Sequence, residues 1–184
     1  PRECVFSGFI CNRTLYFFIS SEDSVDMALT KLNNSSLSAV TSAGLPSGTV
    51  LQVVQGTLTA TPSTALTSFQ DSGLFASITP TSTSSKILVI ADFASSSTTG
   101  NGGLIVNIMR DSTQLMYRGV NYSNSGSTTG NTTLCHLDEP STTSAITYKV
   151  QYLAQSALST AYFNMSFTGY AAPTAHITLT EIAG

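Results

Sequence analysis

The ten residues Ser84-Ser-Lys-Ile-Leu-Val-Ile-Ala-Asp-Phe93, entered through the turn-rich Ile78-Thr-Pro-Thr-Ser-Thr83, restrict the fold more than any other stretch of the chain. An unbroken series of aliphatic and β-branched side chains, bounded by Pro80 and by Ser/Thr clusters, is a buried strand reached through a turn. The pattern then recurs to the C-terminus. Strands are expected over 49–59, 64–69, 74–79, 86–94, 104–110, 114–118, 132–137, 145–154, 161–168 and 176–182. Alternation is cleanest near the end: Tyr148, Val150 and Tyr152 oppose Lys149 and Gln151, and Ala161, Phe163, Met165 and Phe167 oppose Tyr162, Asn164, Ser166 and Thr168. Strand geometry sends successive side chains to opposite faces, so the first member of each set is core and the second, Asn164 included, is surface.

Between strands, residues 95–103 and 123–131 consist of Ser, Thr, Gly and Asn and read as long loops. Many short strands with such turns and almost no helix define an all-β chain, an antiparallel β-sandwich of jelly-roll-like topology over residues 47–184. Residues 1–46 form an N-terminal arm. Within it, Val25, Ala28, Leu29 and Leu32 recur at helical spacing behind Ser21 as N-cap, which predicts a short amphipathic helix. Met27 opens Met-Ala-Leu-Thr-Lys-Leu-Asn-Asn, which looks like a translation start, so residues 1–26 read as an upstream extension, a processed leader or added sequence.

Composition limits the function. Only 9% of residues are charged, against roughly a quarter in an ordinary domain, and the net charge is −3. Seven basic residues without a clustered stripe exclude nucleic acid as a partner, because phosphate binding needs concentrated positive charge. The apolar part of residues 4–20 is interrupted by Asn12 and Arg13, so no membrane insertion is expected. Cys4, Cys11 and Cys135 lack the spacing of a zinc site or a disulfide framework and read as reduced, partly buried thiols, the alternative being a Cys4–Cys11 pair formed if the N-terminal segment turns back on itself.

The titratable groups offer little chemistry. His136 and Asp138 share a strand face, but a closed metal site needs about four ligands and no second cluster supplies the rest. They read as a solvated pair at a strand end. Cys135 and His136 are adjacent on a strand and face opposite ways, which rules out a dyad. His176 reads as an exposed strand histidine. No enzyme activity, metal or cofactor is expected.

Four stretches carry a resemblance: Gly48-Thr-Val-Leu-Gln-Val-Val-Gln55, Ser77-Ile-Thr-Pro-Thr-Ser-Thr-Ser-Ser-Lys-Ile-Leu-Val89, Gly103-Leu-Ile-Val-Asn-Ile-Met-Arg-Asp-Ser-Thr-Gln-Leu115 and Tyr170-Ala-Ala-Pro-Thr-Ala-His-Ile-Thr-Leu-Thr-Glu-Ile182. From Met27 to Gly184 the chain resembles the C-terminal domains of tailed-phage virion proteins, the fibre-like and decoration-like proteins common in marine and cyanobacterial phages. The resemblance implies a jelly-roll sandwich on the virion surface, on capsid or tail, usually a homotrimer attached to other virion proteins through its arm. The arm residues Val25, Leu29 and Leu32 are then the anchoring stripe. A fibre-like module would present Asn101, Tyr117, Tyr122, Asn124 and Asn131 to a host surface glycan. A capsid decoration or head-fibre protein, whose main partner is the shell, and a lectin-like module outside any virus are the alternatives.

Overall fold

In strand 146–154 buried and half-buried residues alternate without a break, placing Ile146, Tyr148, Val150, Tyr152 and Ala154 on one face. A strand with one dry face must be covered by a second layer, and that requirement shapes the domain. The computed structural model describes residues 45–98, 102–124, 126–165, 171 and 173–184, and all but Leu45 belong to one unit, Pro46–Gly184. The expected arm helix, with Val25, Leu29 and Leu32, lies outside the described residues, as do Cys4 and Cys11.

Ten strands follow in order: β1 (Val50–Leu58), β2 (Ser63–Thr64), β3 (Gln70–Ile78), β4 (Lys86–Thr98), β5 (Gly102–Arg110), β6 (Thr113–Ser123), β7 (Thr128–Asp138), β8 (Ile146–Ala154), β9 (Thr160–Phe163) and β10 (Ala175–Ile182). One sheet runs β1-β10-β4-β7, and the other β3-β8-β5-β6; every pairing is antiparallel. This interleaving, in which the last strand inserts between the first and the fourth, is the jelly-roll order.

β4 is the longest strand because it serves three partners. One edge pairs with β7 from Ile87 to Ser97, while the other takes β10 along residues 86–92 and β9 along residues 95–98. β2 extends the sheet beyond β9.

Ile87, Val89, Ala91 and Phe93 of β4 meet Leu104, Val106 and Ile108 of β5 and Tyr148, Val150 and Tyr152 of β8 in one core, closed by Ile177 and Leu179. Phe163 stacks on Phe93 with ring centroids 4.2 Å apart and tilts against Tyr152 at 5.7 Å. Where β1 crosses β3, a Cβ at Gly56 would stand 1.9 Å from the Phe75 carbonyl oxygen, so only glycine permits this approach.

Three sequence expectations are corrected. Residues 95–98 and 128–131, expected as loop, are strand, and Ser95, Ser96 and Ser97 are buried. Their hydroxyls are satisfied: Ser95 Oγ lies 2.9 Å from Thr132 Oγ1 and Ser96 Oγ donates to the Thr128 carbonyl at 2.9 Å across the sheet, while Ser97 Oγ donates to the Gly102 carbonyl at 3.3 Å. Satisfied hydroxyls carry little burial penalty, so polar composition does not end the strand. Of the expected strand 161–168, residues 166–168, Phe167 among them, lie outside the described residues, and β9 ends at Phe163. Asn164 takes a left-handed conformation (φ 57°), is fully buried, and donates through Nδ2 to the carbonyls of Leu58, Ala60 and Pro173. It is a tie between connections, not an outer-face residue. Finally, the segment expected as strand 64–69 keeps only Ser63–Thr64, and the next strand starts at Gln70.

Candidate functional site

The register divides the sandwich into two ends of different chemistry. At the near end Val50 pairs with Ile182, Ile182 with Lys86, and Ile87 with Asp138. Gly48 N–H donates to the Ala183 carbonyl here at 2.8 Å, so the chain joins the sandwich beside its final strand. The far end collects the connections after β1, β4, β6 and β8. In the sequence, residues 50–70, 94–109, 119–137 and 150–175 contain no Asp, Glu, Lys or Arg, so the connections at the far end carry no formal charge; the charge next to them, Asp71 at the start of β3, is paired with Lys149.

The buried carboxylates Asp138 and Glu181 lie toward the near end. Asp138 of β7 accepts two hydrogen bonds from Arg110 Nη1, at 3.0 and 2.8 Å, and one from the Tyr148 hydroxyl at 2.6 Å. Arg110 and Tyr148 belong to the opposite sheet, so this trio fastens the two layers. Burial, and then the Asp138 hydrogen bond and charge, push the Tyr148 phenol well above its ordinary pKa; it stays protonated as a donor. The expected solvated His136–Asp138 pair is thus corrected. The two residues do share the inward face, but Asp138 is 7% exposed and committed to Arg110 and Tyr148. No cluster of three or more metal-ligating side chains occurs among the described residues.

Glu181 points inward from β10 and is fully buried. Its carboxylate accepts from Gln52 Nε2 at 2.6 Å, from the Thr81 N–H at 2.7 Å and from the Thr81 hydroxyl at 2.8 Å. Burial favours the protonated form, but these donors outweigh it and hold the carboxyl below its ordinary value of 4.5. A lowered folded-state pKa contributes stability that is complete above the unfolded value and lost as pH falls through the folded one. The melting temperature should therefore fall more steeply from about pH 5 to about pH 3 for the native chain than for Glu181→Gln. Parallel acid limbs for the two proteins would exclude Glu181 as a stabilising carboxylate.

The sequence-nominated binding residues do not form one patch. Tyr117 is 66% exposed and lies midway along β6 on the outer face of the β3-β8-β5-β6 sheet, opposite Asn107. Tyr122 is 57% exposed near the far end of the same strand. Asn124 is exposed just beyond β6. Asn131 is exposed on β7 of the other sheet, pairing with Ala94. Asn101 lies outside the described residues. Cys135 is an exposed free thiol rather than a partly buried one. His176 is half-buried rather than exposed, and its Nδ1 has no hydrogen-bond partner among the described residues.

Around Tyr122 the outer face opens into a cleft of about 260 Å3, lined by Ile105, Gly119, Val120, Asn121, Tyr122 and Gln155. Ile105 and Gly119 are cross-strand partners. The register then skips from Val120 to Ser123, and Asn121, with φ 50°, turns β6 at this bulge. Asn121 is fixed there by its amide, which donates to the Ser95 carbonyl at 2.6 Å and contacts the Ser95 hydroxyl. Sequence reasoning found Tyr122 by its aromatic character but missed Ile105, Gly119 and Gln155, which only the pairing of β5, β6 and β8 brings together.

Neither a family model nor a curated protein matches this chain. Among solved structures it is similar to one of infectious bursal disease virus, Gx strain, at 13% identity with a TM-score of 0.37. That match covers 73% of this chain and 39% of the other, so the chain spans about two fifths of the length of the structure it matches. The fold assignment rests on the strand order itself. The described residues form an all-β sandwich of two antiparallel sheets in jelly-roll order.

Proposed function

We propose that this chain is a virion structural protein of a tailed phage, a non-enzymatic fibre-like module that attaches by its N-terminal arm and presents its far end to the host surface. The observation that carries this reading is the polarity of the sandwich. The chain joins it at Gly48 beside Ala183, while the charge-free connections lie at the opposite end. A module built this way can be fixed at one end and make contact with the other. The resemblance of Met27 to Gly184 to virion proteins supports the same reading, as does the jelly-roll order that the resemblance implied. Low surface charge suits a protein whose faces are buried against copies of itself or against other virion proteins.

Self-association follows from this reading as a homotrimer. Light scattering at moderate concentration should give three times the chain mass, and a stable monomer would refute the trimer. Attachment is tested on the particle: cryo-EM should show the sandwich projecting from shell or tail with its far end outward. A sandwich lying with its far end against the particle would sink the presentation model.

A further inference from the structure

We propose that the Tyr122 cleft is a subsite for a single neutral saccharide ring. The inference rests on the adsorption reading above and names the chemistry of its ligand.

Gly119 lines the cleft, and Gly103 lies beneath Gln155 and Tyr122, two of the other lining residues. A Cβ at Gly103 would stand 3.0 Å from Gln155 Oε1 and 3.2 Å from Tyr122 Cα, so these two residues close directly over bare backbone. A Cβ at Gly119 would meet nothing within 4 Å, so the space above this residue is open. Tyr117, Gly119 and Tyr122 follow one another along an edge strand, and the two flanking rings are 66% and 57% exposed. A glycine gap between exposed aromatic residues leaves room for a flat ligand, and Ile105 supplies an apolar wall.

The polar equipment is small and uncharged. Gln155 is held by its backbone, whose N–H donates to the Gly103 carbonyl at 2.9 Å, while its side-chain amide makes no hydrogen bond among the described residues. The Tyr122 hydroxyl is likewise uncommitted among those residues. Arg118 is the nearest charge in sequence, but its partner Val106 is a core residue, so it lies on the opposite face from Gly119. A ligand here meets an aromatic surface, an amide with both donor and acceptor, and, among the described lining residues, no ion. A neutral pyranose offers the complement: a C–H face for the ring and hydroxyls for the amide. A volume of about 260 Å3 lies below the range of drug-sized pockets, roughly 300–1,000 Å3, and suits one ring at a chain end or branch.

The test is a saturation-transfer NMR titration of the full chain with the methyl glycosides of glucose, galactose, mannose and N-acetylglucosamine, and with glucuronic acid as the charged probe. At least one neutral glycoside should bind with a Kd on the order of 1 mM. Gly119→Leu, whose Cβ would meet nothing within 4 Å, extends its side chain into the cleft, and Tyr122→Ala removes the aromatic wall; each should weaken binding at least tenfold. Gln155→Ala, at an exposed position, should weaken it several-fold. Circular dichroism should show all three variants folded. Absence of binding by every neutral glycoside, full binding by Gly119→Leu, or binding of glucuronic acid alone would overturn the proposal. Particles carrying Gly119→Leu separate the two ideas. If the native cleft binds sugar yet these particles adsorb to host cells normally, the subsite stands and the adsorption role fails. If adsorption requires the protein but no glycoside binds the cleft, the subsite is refuted and the adsorption role survives.

Discussion

Phe163→Ala should lower the stability of the sandwich by about 3–5 kcal/mol, the usual cost of removing a fully buried aromatic ring. Phe163 is inaccessible to solvent and packs between Phe93 of β4 and Tyr152 of β8, so its loss opens a cavity bounded by both sheets. Its neighbour makes the informative comparison. Asn164→Ala should cost about 2–4 kcal/mol, because alanine resists the left-handed conformation and three carbonyls lose their donor. An outer-face asparagine on a continuous strand would cost under about 1 kcal/mol. Chemical denaturation of the two variants decides between these geometries. A near-native Asn164→Ala would restore the continuous strand 161–168, and a near-native Phe163→Ala would contradict the core itself.

Asp138→Ala should be comparably damaging, at about 2–4 kcal/mol, because it strands a half-buried guanidinium and a buried phenol together. Arg110 retains some access to water, with 24% of its side chain exposed, which keeps the loss below that of a fully buried ion pair. Tyr148→Phe should cost less, since it removes one hydrogen bond and leaves the Arg110–Asp138 pair intact. A double-mutant cycle between Asp138→Ala and Arg110→Ala should return a coupling of about 1–3 kcal/mol. Additive losses would mean that the two sheets are fastened by apolar packing alone.

The legible parts of the fold were those encoded locally. Tyr148, Val150 and Tyr152 were assigned to the core by alternation, and the structure buries all three. The run from Ile87 to Phe93 announced a buried strand by aliphatic content, and its odd-numbered members form the centre of the core. Ser95, Ser96 and Ser97 were misread because a serine in a strand and a serine in a loop have the same local signature. For Ser95 and Ser96 what separates them is an acceptor or donor on β7, more than thirty positions away in sequence. Of the nominated binding residues, Tyr122 lines a cleft, while Tyr117 and Asn131 occupy opposite sheets.

By itself the sequence determined the all-β class, the inward and outward members of most strands, and the charge-free stretches between them. These properties depend on side-chain type and on the two-residue period of an extended chain. Tertiary structure alone decided that β4 continues through its serines, that Asn164 turns inward to reach Leu58 across 106 positions, and that Gln155 stands over Gly103 beside Tyr122. Each depends on which strand lies alongside and in what register, and a hydrogen-bond partner so remote in sequence leaves no mark on the residues next to it.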